Sequence, residues 1–376
     1  MENRLINQTE QLENEISFER ERLSSDRMDI SFGELINIYK NKELVIRPEY
    51  QRLYRWNIKQ KTALIESILL GIPIPPIFVA EDSEGIWELV DGLQRVSSFI
   101  SFFGELADDL TRLPDDDIDE EIENEDDIRI LNKWNLEAGG LVPSLEGLNI
   151  DTLPNKYKIN LKRAVCRVEI LRGESNIAMK YELFKRLNSG GSKLTPQEIR
   201  NAIYRGINPV VNELLLELSR NEKFKKLTTL SSQKKHELYD QELILRFVAL
   251  LNNHENINDN LENYLNHFME SAVKSGAFDK SFYSALFNEV IEMISQVGDE
   301  KTFRNQNNLF VPALYEGITI GVAQNIERYR GSQNLLVQKI NEIKQDAEYR
   351  RFSGTASNSK SRVKNRLKRA NEIFFQ

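Results

Sequence analysis

Residues 87–103 read WELVDGLQRVSSFISFF. Trp87, Leu89 and Val90 read as the end of a strand, while Val96, Phe99, Ile100 and Phe103 recur three and four residues apart, as one face of a helix does. The chain therefore turns at Asp91-Gly92. Gly92 takes a positive φ without steric cost, Asp91 is placed to accept hydrogen bonds from the N–H groups that open the helix, and such a terminus is a ready anion site. Gln94 and Arg95 fall in the first helical turn, where an amide and a fixed guanidinium fork reach a phosphate or carboxylate held at the turn. A plainer reading stands beside this one: Asp91 only caps the helix and Arg95 only pairs with it.

Working outward, the turn Asp82–Gly85 joins a strand at Ile77–Ala80 to Trp87–Val90, so the Asp91 turn follows a hairpin and lies at a sheet edge or end. Before the hairpin, Leu64, Ile65, Ile68 and Leu69 mark a helix over Lys59–Leu70 that stops at Gly71, ahead of IPIPPIFVAE. Earlier still, Leu44–Trp56 reads LVIRPEYQRLYRW; Pro48 disfavours helix, and Gln51, Arg52 and Arg55 interleave with Tyr50, Tyr54 and Trp56. Residues 1–28 read as a charged helical lead-in, and Ser31–Tyr39 as a short helix with Phe32, Leu35, Ile36 and Tyr39 on one side.

Downstream, Ala164–Leu171 is rich in β-branched residues and reads as a buried strand completing the sheet. A helix follows at Met179–Leu187, then the loop NSGGSK. Thr195-Pro196-Gln197-Glu198 is a capping box with proline at the first helical position. From there the apolar spacing is helical over Val210–Leu218, Gln241–Leu251, Leu261–Val273, Ser281–Ser295, Leu309–Ile326, Leu335–Tyr349 and Ser361–Phe375. The fold class is thus α/β over residues 29–202, followed by an all-α domain over 203–376.

A chain of 376 residues with 40% apolar content builds real cores. Cys166 is the only cysteine, which excludes an intramolecular disulfide and a cysteine-based zinc site and fits a reducing, cytoplasmic home. The charged N-terminus offers no apolar signal core, and no run of uncharged apolar residues has membrane-spanning length, so neither export nor a membrane span is expected. Net charge is −8, yet Glu105–Asp127 holds 13 acidic residues and one basic, leaving the rest of the chain at +4. That segment reads as a solvated insertion. Acidity overall therefore does not exclude nucleic acid, because binding responds to the local field.

Positive charge gathers between Arg350 and Arg369, with eight Lys/Arg and no acid. Phosphate contacts from Lys360, Arg362, Lys364, Arg366, Lys368 and Arg369 would give DNA binding that weakens steeply with salt. The alternative is a solvated helix packing Val363, Leu367 and Ile373 inward.

Three polar patches on separate segments share residue types that suit a polyphosphate: Gln51-Arg52, Asp91 with Gln94-Arg95, and Phe184-x-Arg186-x-Asn188 running into Gly190-Gly191. Arginine–phosphate bonds contribute roughly 1.5–3 kcal/mol each, whereas clustered unpaired arginines repel. Gly190 and Gly191 permit close backbone approach, or else form a simple interhelical connector. No glycine is followed by lysine, so a Walker P-loop is absent. His236, His254 and His267 are scattered in helical sequence, without the arrangement of an HNH nuclease.

PEYQRLYRW, ILLGIPIPPI, DGLQR and FKRLNSGGSKLTPQEIR, in this order, resemble the N-terminal domain of the GmrSD-type modification-dependent restriction enzymes, the family of the DGQQR motif. The resemblance covers roughly Ile30–Ala202, and FSGTASNSKSRVKNR is similar to the end of the family's helical region. It implies a ParB/sulfiredoxin-like α/β domain that binds and hydrolyses nucleoside triphosphates in anti-phage restriction. Carried over, Asp91, Gln94 and Arg95 match the catalytic motif, Arg52 with Gln51 the Tyr-Gln-Arg motif, and Arg186 with Asn188 the Phe-x-Arg-x-Asn motif. Gly92, Gly190 and Gly191 join the phosphate-binding group. Leu93 stands where the family carries its first glutamine, which sets hydrolysis against binding alone.

The expected function is an NTP-binding, NTP-hydrolysing subunit with Mg2+ held by Asp91, partnered by DNA and a separate nuclease; homo-oligomerisation stays open. Two readings compete with it. One is a non-catalytic, antitoxin-like regulator of a separately encoded nuclease. The other is DNA nicking at the Asp91 turn itself, for which Glu88 is the only further carboxylate near in sequence.

Overall fold

The computed structural model describes residues 9, 11–17, 24–46, 56–81, 84–106, 132–172, 181, 185–186, 195–205, 207–253, 257–354 and 356–375. The chain divides into two compact units, Met1–Lys193 and Leu194–Gln376. The division precedes the helix opened by the Thr195 capping box.

The first unit is built on a five-stranded mixed sheet: β1 (Ser24–Ser31), β2 (Leu44–Val45), β3 (Ile77–Glu81), β4 (Trp87–Asp91) and β5 (Val165–Arg172), in the order β1-β5-β3-β4-β2. β3 and β4 form the expected antiparallel hairpin, whereas β5 runs parallel to β3 and β2 parallel to β4. Along β5, Cys166, Val168 and Ile170 alternate into the core. The strand expected there is buried on one face only: Val165 is 61% exposed, and Arg167 and Glu169 face cross-strand partners.

The charged helix expected through residue 28 is also corrected. Residues 11–17 are helical, but Ser24–Ser31 is an antiparallel strand in register with β5, Arg27 opposite Glu169 and Asp29 opposite Arg167. Arg27 and Asp29 pair with those residues at 3.0 Å each. The partners lie more than a hundred positions away, so local charge spacing carried no sign of the strand.

Among the described residues, α1 (Phe32–Lys40), α2 (Ile58–Leu70), α3 (Leu93–Phe102) and α4 (Asn155–Arg163) contribute to the core of this unit. Leu35, Ile65, Phe99 and Leu161 from the helices meet Val79, Leu89 and Val168 from the sheet, all essentially inaccessible to water. Ser31 caps α1, and Asn57 with Gln60 forms a capping box that opens α2. The loop over α2 is tied down by the Glu66 carboxylate, which accepts the N–H groups of Leu141 at 2.8 Å and Val142 at 2.6 Å.

The second unit is helical. Its central helix, α12 (Pro312–Gln324), is buried on every side from Ala313 to Ala323. Against it pack α9 (Tyr239–Asn253), α11 (Lys280–Ser295) and α16 (Lys360–Phe375), and α9 in turn carries α5 (Pro196–Arg205), α6 (Val210–Ser219) and α10 (Leu261–Ser275), with α7 (Glu222–Thr228), α8 (Ser232–His236) and α13 (Ile326–Tyr329) as short helices. The single helix expected over Leu335–Tyr349 is corrected to two, α14 (Gln333–Gln345) and α15 (Ala347–Ser353). Asp346 between them is extended and accepts Tyr349 N–H at 2.7 Å, so the acid restarts the helix as its cap.

A chain of buried charges runs through this unit. Glu242 joins Arg200 at 3.2 Å to Arg246 at 2.8 Å, and Glu316 joins Arg246 at 2.8 Å to Arg366. Thr195 and Glu198 close the expected capping box of α5, while Arg200 and Asn201 on the same helix bond Asn266 and Gln241. The TPQEIR motif thus builds the helical core.

Candidate functional site

The Asp91 turn forms where sheet register breaks. Val79 pairs with Leu89 but Phe78 pairs with Asp91, so Val90 is the extra residue of a β-bulge on β4. Without it, strict alternation would send Asp91 to the buried face with Trp87 and Leu89. The bulge re-aims it, and its side chain is 35% exposed.

Gly92 then reverses the chain with φ +101°, and a Cβ there would stand 2.7 Å from Ile77 Cγ2 and 3.3 Å from Arg95 Nη2. Only glycine fits both the left-handed backbone and the contact. α3 begins immediately, with Val96 N–H donating to Gly92 C=O at 2.9 Å, and no side chain caps its start. The expected Asp91 cap is therefore corrected. The carboxylate accepts instead from Arg95 Nη2–H at 2.8 Å.

Arg95 is held from two sides. Its Nη1–H donates to Pro75 C=O at 2.6 Å, in the segment leading into β3, and its side chain is 14% exposed. Gln94 accepts Trp56 N–H at 3.2 Å on its side-chain oxygen, which ties the first turn of α3 to the residue before the Asn57 cap of α2. Pro75 and Ile77 are the contributors that sequence reasoning missed: a backbone carbonyl leaves no signature, and the one available hint was their place in the ILLGIPIPPI stretch. Cys166, on β5, is no nucleophile, since burial pushes its thiol up to about 12 although the Arg95 charge pulls the other way.

The turn therefore presents a partly open carboxylate, a fixed guanidinium, and the start of a ten-residue helix that no side chain caps. A fixed guanidinium beside a helix N-terminus is the kind of chemistry that suits an anion. Among the described residues no group of three or more His, Cys, Asp or Glu side chains could hold a metal ion. One carboxylate still fits Mg2+, which is ordinarily held by one or two carboxylates with phosphate oxygens and water. Glu88 sits earlier on β4 opposite Ala80, half-buried.

Of the other candidates, Arg186 is helical and exposed. Gln51, Arg52, Asn188, Gly190 and Gly191 lie outside the described residues, as do most of the acidic segment and of the Met179–Leu187 helix. Leu93, in place of the motif's first glutamine, is half-buried and packs against the apolar core.

The basic helix α16 separates its cations. Val363, Leu367 and Ile373 face inward. Arg366 is only 1% exposed, its Nε–H donating to Glu316 at 2.8 Å, and is thereby corrected from a DNA contact to a core residue. Arg369 donates to Asp346 at 2.7 Å and to Glu372 at 3.0 Å, and those hydrogen bonds raise its pKa. It too is committed within the fold. Lys360 and Lys368 are exposed and Lys364 is half-buried, while Arg362 donates to Arg351 C=O at 2.8 Å.

Residues 32–205 match a family model described as the GmrSD restriction endonuclease, N-terminal domain. No curated protein and no solved structure matches the chain. The matched stretch contains β2 to β5, α1 to α4, the Asp91 turn and α5.

Proposed function

With residues 32–205 belonging to the family of the GmrSD restriction endonuclease N-terminal domain, we propose that the chain is an NTP-binding and NTP-hydrolysing component of a prokaryotic restriction system. The observation that carries this reading is Arg95, pinned between Asp91 and the Pro75 carbonyl beside the uncapped start of α3. Fixed donors at a helix terminus suit the charge that builds on a transferring phosphoryl group. In this reading Arg95 and Arg52 offset phosphate charge, Asp91 orients the attacking water or holds Mg2+, and Asn188 with Gly190 and Gly191 completes the cradle. Mg2+, when bound, neutralises charge on the phosphate oxygens. The mixed sheet with helices supports a ParB/sulfiredoxin-like reading of the first unit.

No helix among the described residues is long and apolar enough to cross a membrane. Lys360, Arg362, Lys364 and Lys368 remain as DNA contacts in this proposal, and a separate nuclease would do the cutting. Phosphate release from each of the four common NTPs with Mg2+, with and without DNA, beside Arg95→Ala, tests it. Release that needs Arg95 is expected; full turnover in the variant overturns the assignment.

A second reading is favoured by Leu93, which packs against the core and, as a leucine, offers no amide at that motif position. The site would then bind nucleotide without turnover and the chain would regulate a nuclease. Saturable binding lost in Arg95→Ala, without phosphate release, distinguishes this case.

A further inference from the structure

Arg95 is already bound to an anion. Its Nη2–H lies 2.8 Å from Asp91 Oδ2, at the place where the phosphate site needs an open donor. The two residues are one helical turn apart, on either side of Gly92, whose missing Cβ leaves Arg95 Nη2 close against the turn. The other nitrogen is held at 2.6 Å by Pro75 C=O, a neutral backbone acceptor that no ligand needs to displace. The guanidinium therefore has one permanent anchor and one exchangeable partner.

We propose that the Asp91–Arg95 pair is the resting, self-occupied state of the site, and that a polyphosphate works by displacing Asp91. A phosphate oxygen takes the Nη2 hydrogen bond, Pro75 keeps the guanidinium in place, and the released carboxylate turns to water or Mg2+. This inference rests on the phosphate-site reading above and adds its regulation: Asp91 competes with the ligand before it serves the reaction. The 35% exposure of Asp91 makes that movement feasible, since the carboxylate already borders solvent, whereas Arg95 at 14% is the fixed member. A carboxylate that only supported Arg95 would give the opposite mutational sign, because its removal would loosen the guanidinium and weaken anion binding.

Inorganic tripolyphosphate binding to the full chain in EDTA, measured by calorimetry for wild type and Asp91→Asn, separates the two. EDTA removes any help that Asp91 gives through a metal. The amide keeps the shape but not the charge. Binding tighter by about two- to fivefold in Asp91→Asn is expected, the worth of an ion pair at the edge of solvent. Equal or weaker binding in the variant, with wild type binding normally, overturns the competition and leaves the phosphate site standing. Failure of folded wild type and folded Asp91→Asn alike to bind overturns the phosphate-site reading and this inference together. Asp91→Ser, smaller and also uncharged, must show the same tightening if Asp91→Asn proves unstable by its melting curve.

Discussion

Replacing Arg366 with methionine tests whether the basic C-terminal helix holds the fold or is free for a partner. Arg366 is 1% exposed, and Glu316, its partner on α12, is 0% exposed. Glu316 would retain Arg246 at 2.8 Å, but its other oxygen would lose the Arg366 Nε–H at 2.8 Å, and Ser357 C=O would lose its donor. Methionine roughly preserves the volume, so the loss is electrostatic. Breaking one side of a buried pair costs about 3–5 kcal/mol. With a urea slope of about 2 kcal/mol per molar, the midpoint of the second unit should fall by about 1.5–2.5 M. The assay is far-UV circular dichroism. Trp56, Trp87 and Trp134 all lie in Met1–Lys193, so tryptophan fluorescence reports the other unit and should hold its midpoint. Lys368→Met, on an exposed side chain, should stay within about 0.5 kcal/mol of wild type. An Arg366→Met midpoint corresponding to less than about 1 kcal/mol of loss would refute the account of the buried charge chain.

Two further predictions concern the turn and the core. Gly92→Ala forces a side chain into a backbone with φ +101° and against Ile77; it should destabilise the first unit by about 1–3 kcal/mol, read by tryptophan fluorescence in urea, and an unchanged midpoint would show that the turn relaxes freely. Burial pushes the Glu242 carboxyl up, but the Arg246 and Arg200 guanidiniums outweigh it, and its pKa is lowered from the ordinary 4.5. A lowered carboxyl stabilises fully above its unfolded value and loses that contribution as pH falls through the folded one. The helical signal at fixed urea should therefore hold down to about pH 5 and decline below, with a flatter acid limb in Glu242→Gln; an identical limb in that variant would remove Glu242 as a cause.

What the sequence by itself determined is local. The strand, the glycine turn and the amphipathic helix of residues 87–103 follow from apolar spacing and one required positive φ, as does the capping box at Thr195. These depend on neighbours within a few positions, so the amino-acid order states them directly. The ordered motifs likewise pointed to the family whose model residues 32–205 match, before any fold was visible. Tertiary structure decided which charges are inside. Arg366 and Lys368 stand two positions apart in one basic run, yet one meets Glu316, fifty residues away, and the other meets solvent. Ser24–Ser31 is a strand because β5 offers it a ladder partner more than a hundred positions away, with Arg27 and Asp29 opposite charges of the other sign. Asp91 changed role in the same manner: its sequence position promised a cap, but the β4 bulge and the Pro75 carbonyl brought Arg95 to it instead. Charge acts through space and over distances that only folding sets, whereas periodicity and turn chemistry are written along the chain.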